Sequence, residues 1–186
     1  MQIAILGVGS IGGVLLGALS DTDCGLVAIS RGNSARNLST LGLVLHTPEG
    51  SIEAIPPERF TTFDSESGPV PEAIRHSCDA ALICGKADST SVLAQLTEEI
   101  LKDVGIAISL QNGMGHAQVL AHRLGRERTL GGITTHGAWR GDTGTHWVGR
   151  GGITIGSLDH SLASVNAQRL VEIMRQAGLS PEWSED

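Results

Sequence analysis

The sequence predicts an α/β fold, a doubly wound and mostly parallel sheet, on three observations. Short apolar runs of the kind carried by strands buried on both faces, Gln2 to Leu6, Gly25 to Ser30, Asp79 to Cys84 and Ile106 to Leu110, alternate with stretches of helical spacing. Each run ends in glycine or polar residues, and in an open α/β sheet the C-terminal strand edge is where ligands bind. Late in the chain the runs become short and are separated by glycines, so the sheet is expected to finish in an antiparallel section.

Gln2 to Leu6 feeds directly into Gly7-x-Gly9-x-x-Gly12, after which Ile11, Val14, Leu15, Ala18 and Leu19 recur at helical spacing. A strand, a tight turn and a helix in this order suit a dinucleotide. Gly7 permits the bend, Gly9 lets a pyrophosphate approach the backbone, and Gly12 lets helix and strand pack closely. The helix start presents unpaired N–H groups, which brings Val8, Ser10 and Ile11 into the expected site. In a chain with 25 glycines the motif alone is weak; its place at a strand-to-helix junction gives it weight.

Gly25 to Ser30 closes a βαβ unit of about the usual 30 residues. Where a carboxylate would bind the ribose 2′-hydroxyl of NAD stand Ser30 and Arg31, then Gly32 and Asn33. A hydroxyl and a guanidinium suit a 2′-phosphate, so NADP is expected over NAD. A bare cation at a helix start is unfavourable beside the macrodipole, and an anionic ligand would offset that cost.

Asn33 to Leu41 has helical spacing, and Leu43 to His46 with Ile52 to Ile55 reads as a hairpin closed by Thr47-Pro48-Glu49-Gly50. Pro56 to Val70 reads as a connection with a short edge strand around Phe60 to Phe63. Gly85 and Lys86 follow the strand Asp79 to Cys84, and Asp88 or Ser89 is placed to cap a helix with Val92, Leu93, Leu96 and Ile100 on one face. The strand Ile106 to Leu110 ends in Gln111-Asn112-Gly113-Met114-Gly115, and His116 to Leu124 is a helix stopped by Gly125. Thr129 to Trp139 reads as one extended segment, joined by a turn over Arg140 to Gly144 to strands at His146 to Gly149 and Ile153 to Ile155. A last helix from about Ser161 turns Leu162, Val165, Leu170, Ile173 and Ala177 inward and is stopped by Gly178 and Pro181. Residues 1–160 are expected to form the nucleotide-binding domain, with 161–186 a helix and tail leading away from it.

Composition narrows the function. With 40% hydrophobic and 18% charged residues the chain can bury one good core. Its 13 basic and 20 acidic residues, net −7, argue against a nucleic-acid or anionic-membrane partner, and two Phe, three Trp and no Tyr leave no aromatic platform for bases. No apolar run approaches the ~20 residues that span a bilayer. The N-terminus lacks a signal-peptide pattern, so a cytoplasmic protein is expected. Cys24, Cys78 and Cys84 have no metal-type spacing, and His116 and His122 form no HExxH pair, so idle thiols and no metal site are expected.

Together, GVGSIGG at the start, Arg31 after the second strand, ICGKA at Ile83 to Ala87, SLQNGMGH at Ser109 to His116 and GGITTHGA at Gly131 to Ala138 resemble the N-terminal half of the ketopantoate reductases. These are the 2-dehydropantoate 2-reductases, which use NADPH to reduce ketopantoate to pantoate on the way to pantothenate and coenzyme A. The resemblance runs over nearly the whole chain, and QNGMG is its most telling piece. It implies a Rossmann-like cofactor domain in which Gly7, Gly9 and Gly12 form the phosphate turn and Arg31 holds the 2′-phosphate. It further implies that Lys86 lies near the cofactor, and Asn112 near the nicotinamide ribose and the substrate. Taken alone, a residue like Lys86 is more often a solvated loop charge and Asn112-Gly113 more often a plain turn, although both follow strands at the ligand edge and could donate hydrogen bonds there. His116 and His136 carry no assigned chemistry.

Family chains continue into a helical domain that carries the general-acid lysine, and nothing in this sequence matches its motif. No catalytic residue is therefore assigned. A missing positioned acid costs roughly 10²- to 10⁴-fold, so the expectation is NADPH binding with little or no ketopantoate reduction by these residues alone. Lys86, beside the cofactor, is a candidate for orientation before it is one for an acid. Two other readings stay open: a reductase of another small 2-oxo acid, and a catalytically silent NADP-binding module that meets a partner near Trp183. Apolar surface left uncovered would also favour homo-oligomers.

Overall fold

In the first strand, β1 (Gln2–Leu6), Ile3 and Ile5 face one side and Ala4 and Leu6 the other, and all four are completely buried. Such a strand belongs inside a parallel sheet with helices above and below. The computed structural model, which describes residues 1–158 and 164–184, has that arrangement. After β1 come α1 (Ser10–Ser20), β2 (Gly25–Ser30), α2 (Gly32–Leu41), β3 (Leu43–His46), β4 (Ile52–Ile55), β5 (Thr61–Asp64), β6 (Cys78–Ile83) and α3 (Thr90–Ile100). The chain continues through β7 (Leu101–Ser109), α4 (His116–Leu124), β8 (Thr129–Thr134), β9 (Gly137–Gly141), β10 (Gly144–Gly149), β11 (Ile153–Ser157), α5 (Val165–Gln176) and β12 (Pro181–Ser184).

Eight strands form the main sheet in the order β12-β11-β8-β7-β6-β1-β2-β5. Neighbours from β8 to β5 are parallel, and β11 runs antiparallel to β8, as the glycine-punctuated end of the sequence predicts. The order from β5 to β8 is that of a Rossmann-like sheet, with its switch point between β1 and β6. Period-two alternation divides the core in two. Ile3, Ile5, Ala28, Leu82 and Ile108 pack under α1 and α5, while Ala4, Leu6, Val27, Ile83 and Ala107 pack under α3 and α4.

Asp79, at the start of β6, ties this sheet together: its carboxylate accepts from the Gln2 amide and from Lys102 Nζ, each at 2.7 Å. Desolvation pushes its pKa up, but the bonds from Lys102 and the Gln2 amide win, and the net shift is downward. A depressed carboxylate contributes stability that is present above its unfolded pKa and is lost as pH falls through the lower folded value. Asp79→Asn is therefore expected to lower Tm at neutral pH and to flatten the loss of Tm below about pH 4, the ordinary Asp range. An acid limb as steep as that of the wild type would contradict this.

The sequence predicts one sheet, and the structure has two. Thr129 to Trp139 does not run through as a single extended segment; it breaks at Thr135–His136, leaving β8 in the main sheet and sending β9 into a four-stranded sheet ordered β4-β3-β10-β9. The break is a tertiary effect. Buried His136 accepts from the Gly151 amide at Nδ1 (3.0 Å) and donates from Nε2 to the Leu179 carbonyl (3.2 Å). Burial pushes its pKa down, in keeping with a neutral ring in that tautomer. His136 is thus a structural fastener.

The smaller sheet lies on α1 because Gly13 and Gly17 give it room. A methyl group on Gly13 would stand 2.3 Å from Thr145 Oγ1, and one on Gly17 2.6 Å from a Leu45 methyl. Gly13→Ala should gain up to about 1 kcal/mol of helix propensity yet lose about 1–3 kcal/mol to overpacking against the buried Thr145. Urea titration should show net destabilisation that shrinks or reverses in a Thr145→Ala background.

Other elements shift in ways that burial explains. β7 begins five residues before the predicted strand, because Lys102 to Val104 extend it past the core as a half-exposed lead. α3 buries Leu93, Ala94, Thr97 and Ile100 and leaves Val92 exposed, and the Ser89 side chain at its N-cap bonds to Asp88 and makes no cap hydrogen bond. α5 is capped by Ser164, which accepts from the Ala167 amide, and it buries Ala167, Leu170 and Met174 while Val165 is exposed. The predicted start at Ser161 and Leu162 lies outside the described residues. Pro181 opens β12, paired with β11, and Trp183 is partly buried against the core.

Candidate functional site

A cleft of about 400 Å³ opens at the switch point, above the C-terminal ends of β1, β2 and β6. Its floor is the glycine turn. Gly7 has φ +92°, a conformation glycine alone adopts cheaply, and its amide donates to the Ile29 carbonyl at 2.9 Å. A methyl group there would lie 2.5 Å from the Gly85 backbone, and one on Gly12 2.3 Å from the Gly7 carbonyl oxygen. Gly7→Ala is expected to cost at least about 2 kcal/mol, strain and clash together, by urea unfolding. Gly9 differs from both. A methyl group on it would meet nothing within 4 Å, although it lines the cleft. The space beside Gly9 belongs to the cleft, which is the fit a pyrophosphate against the backbone requires.

The neighbours of the turn divide between bracing it and facing the cleft. The Val8 amide donates to the buried Ser30 Oγ at 3.3 Å, so Val8 and Ser30 lock the turn from inside. Gly9 is the N-cap of α1, whose first turn has no side-chain cap and no acidic residue, so the amides that open the helix at Ser10 and Ile11 have no side-chain partner. Arg31 is exposed at the cleft, and its guanidinium has no hydrogen bond or ion pair among the described residues. Lys86 lines the cleft in the same state. Desolvation pushes the Cys84 thiol up to about 12, so it stays protonated at neutral pH.

Three contributors have roles that the sequence did not assign. Arg140, on β9, reaches across from the smaller sheet: its Nη1 donates to the Val8 carbonyl at 2.7 Å and to Ser34 Oγ at 3.4 Å. Asp64, at the end of β5, accepts from the amides of Gly32 and Glu66 through Oδ1, both at 3.0 Å, and so places a carboxylate at the start of α2 from a strand other than β2. Gln111 is buried, and its Nε2 lies within 2.9–3.1 Å of the Gly85 carbonyl, the Lys86 carbonyl and Thr90 Oγ1. It holds the loop that carries Lys86 to the loop that carries Asn112.

Asn112 is exposed, and its carbonyl accepts from His116 Nε2 at 3.1 Å, while Thr90 Oγ1 meets His116 Nδ1 at 3.1 Å. Its side chain lines neither the first cleft nor a second one of about 340 Å³, which runs from Gln111 and Gly113 past the start of α4 to β8 and β11. The structure therefore gathers Gly7, Val8, Gly9, Ser30, Arg31 and Lys86 in one cleft, with Ser10, Ile11 and Gly12 behind its lining, and sets Asn112 on the adjoining loop.

Residues 3–160 match the family described as Ketopantoate reductase PanE/ApbA. A 2-dehydropantoate 2-reductase of Halobacterium salinarum is 28% identical over 173 residues, covering 90% of this chain and 54% of the relative. One from Archaeoglobus fulgidus is 33% identical over 109 residues, 58% of this chain and 35% of the relative. The crystal structure of 2-dehydropantoate 2-reductase from Geobacter metallireducens superposes with a TM-score of 0.83 at 25% identity, over all of this chain and 58% of that one. D-mandelate dehydrogenase, solved with NADH and anilino(oxo)acetate, shares the fold with a TM-score of 0.83 at 20% identity, over 99% of this chain and 57% of that one. The chain thus spans about half the length of these relatives. Its matched span takes in the glycine turn, Arg31, Lys86 and Asn112 alike, and the chain belongs to the ketopantoate reductase PanE/ApbA family.

Proposed function

We propose that residues 1–160 form the NADP-binding domain of a cytoplasmic 2-oxo acid reductase, with 161–186 leading on from it and ketopantoate as the substrate. The observation that carries this reading is the cleft itself: an Arg31 guanidinium at its rim that is unpaired among the described residues, and a floor glycine whose missing side chain leaves room for phosphate. The names of the relatives, family membership and the absence, among the described residues, of any helix able to cross a membrane support it.

When bound, NADPH supplies a hydride to the carbonyl carbon of the 2-oxo acid. The chain's own residues bind and orient. The opening amides of α1 hold the pyrophosphate, and Arg31 takes the 2′-phosphate in charge-assisted hydrogen bonds. Gln111 fixes the two loops that bring Lys86 and Asn112, as donors, to the nicotinamide end.

One observation favours a second reading, NADH. The Asp64 carboxylate stands at the start of α2, near the corner where a dinucleotide fold usually reads ribose hydroxyls. Fluorescence titration of the protein with NADPH and NADH separates the two. The NADP reading expects tighter NADPH binding, with a preference that declines as salt is added. Equal affinities or an NADH preference would replace it with the second reading, and binding of neither coenzyme would defeat both. Comparing ketopantoate with other 2-oxo acids as carbonyl substrate tests the last step, and binding without turnover of any of them would favour a silent module.

A further inference from the structure

We infer that Arg140 is a second guanidinium for the 2′-phosphate, acting with Arg31 to set the choice between NADPH and NADH. The inference rests on the NADP reading above and deepens it. Arg140 comes from the smaller sheet, 132 positions along the chain from the Val8 carbonyl that anchors it. That anchor lays the side chain across the glycine turn. Its second contact fixes the direction: Nη1 also reaches Ser34 Oγ, in the first turn of α2, and the Ser34 amide donates to the Arg31 carbonyl at 3.2 Å. Arg140 therefore extends past the pyrophosphate end of the cleft to the corner where Arg31 stands. Nη1 makes all of its bonds, so among the described residues Nε and Nη2 remain free, the edge with which a guanidinium grips a phosphate.

Charge supports the assignment. The chain carries a net −7, yet the side chains lining this cleft include Arg31, Lys86 and Arg140 against one carboxylate, Asp88. A concentration of cations in an acidic protein favours a ligand region richer in negative charge than a pyrophosphate alone. The smaller sheet gains a function from this. By seating on Gly13 and Gly17 it holds β10 against α1, and β10 pairs Thr145 with Arg140, so the packing of α1 places the arginine over the turn.

The test is titration of Arg140→Met, Arg140→Lys and Arg31→Met with NADPH and with NADH, each variant first checked by thermal melting. Arg140→Met is expected to weaken NADPH by about tenfold or more while changing NADH by less than about threefold. Arg140→Lys, which keeps a point charge and loses the fork, should fall between. Equal weakening of both coenzymes would show that Arg140 acts only through the Val8 carbonyl, and unchanged binding would show that it does not act; either overturns the inference. If Arg140→Met does not fold, the lysine variant decides by the same ratio. A wild type that prefers NADPH through Arg31 but ignores Arg140 defeats this inference alone, whereas a wild type indifferent to the 2′-phosphate defeats the NADP reading itself.

Discussion

Gly9→Val is expected to leave the fold standing while weakening NADPH binding by about 100-fold or more, the equivalent of losing two charge-assisted hydrogen bonds. The motif gives the three glycines of the turn separate tasks, and their surroundings in the structure differ in the same way. Side chains at Gly7 and Gly12 would run into the protein's own backbone, at 2.5 and 2.3 Å, so their replacement unfolds or distorts the turn. At Gly9 an added Cβ has no protein atom within 4 Å, and the residue lines the cleft. Valine there costs no more than a poor N-cap residue, about 1 kcal/mol, or about 2–4 °C in Tm for a chain of this size. What it removes is the approach of phosphate to the backbone, and neither the macrodipole nor the opening amides of α1 act well at a distance. Paired melting and titration make the contrast: Gly12→Val should lose Tm and binding together, Gly9→Val binding alone. A Gly9→Val protein that binds NADPH as the wild type does would remove the pyrophosphate from this turn.

Much of the main sheet was legible because its strands carry their own signal. β1, β2 and β6 have apolar cores broken only by a polar residue near an end, and the helices between them show a 3.6-residue period that needs no tertiary information. The hairpin of β3 and β4 announced itself through its Pro-Glu-Gly turn. Legibility ended where a long-range contact decides the outcome. Nothing local in Thr129 to Trp139 marks a change of sheet; the break is made by His136 bonding to Gly151 and Leu179. α3 turned by one position because Thr97, a polar letter, is buried with its hydroxyl returned to the Leu93 carbonyl.

The same limit divides the candidate site. Gly7, Gly9, Gly12 and Arg31 lie within one βαβ unit, so a local motif brings them together. Gln111, Asp64 and Arg140 reach the site through partners 25–26, 32 and 106–132 positions away, and each sits in a stretch that reads as loop or turn. A buried glutamine in a glycine-rich loop has no sequence signature, because its task, satisfying the carbonyls of a second loop, exists only after both loops are placed.

Arg31→Glu is expected to reverse the coenzyme ranking. The guanidinium is exposed at the cleft and unpaired among the described residues, so its replacement exposes no buried partner and should leave Tm nearly unchanged. For NADPH the change removes a bidentate charge-assisted contact, about 1.5–3 kcal/mol, and adds a like charge beside the phosphate. A loss of about 100-fold or more follows from those two effects together. NADH has hydroxyls at that position, which a carboxylate accepts well, and the acid would join Asp64 at the start of α2, so its affinity should hold or rise. Salt gives an independent check. Wild-type affinity for NADPH should fall with ionic strength more steeply than affinity for NADH, and the variant should lose that difference because its screened attraction is gone. If charge reversal at Arg31 left the ranking untouched, the corner would read the sugar by shape and the phosphate would lie elsewhere in the cleft, with Lys86 the cation to substitute next.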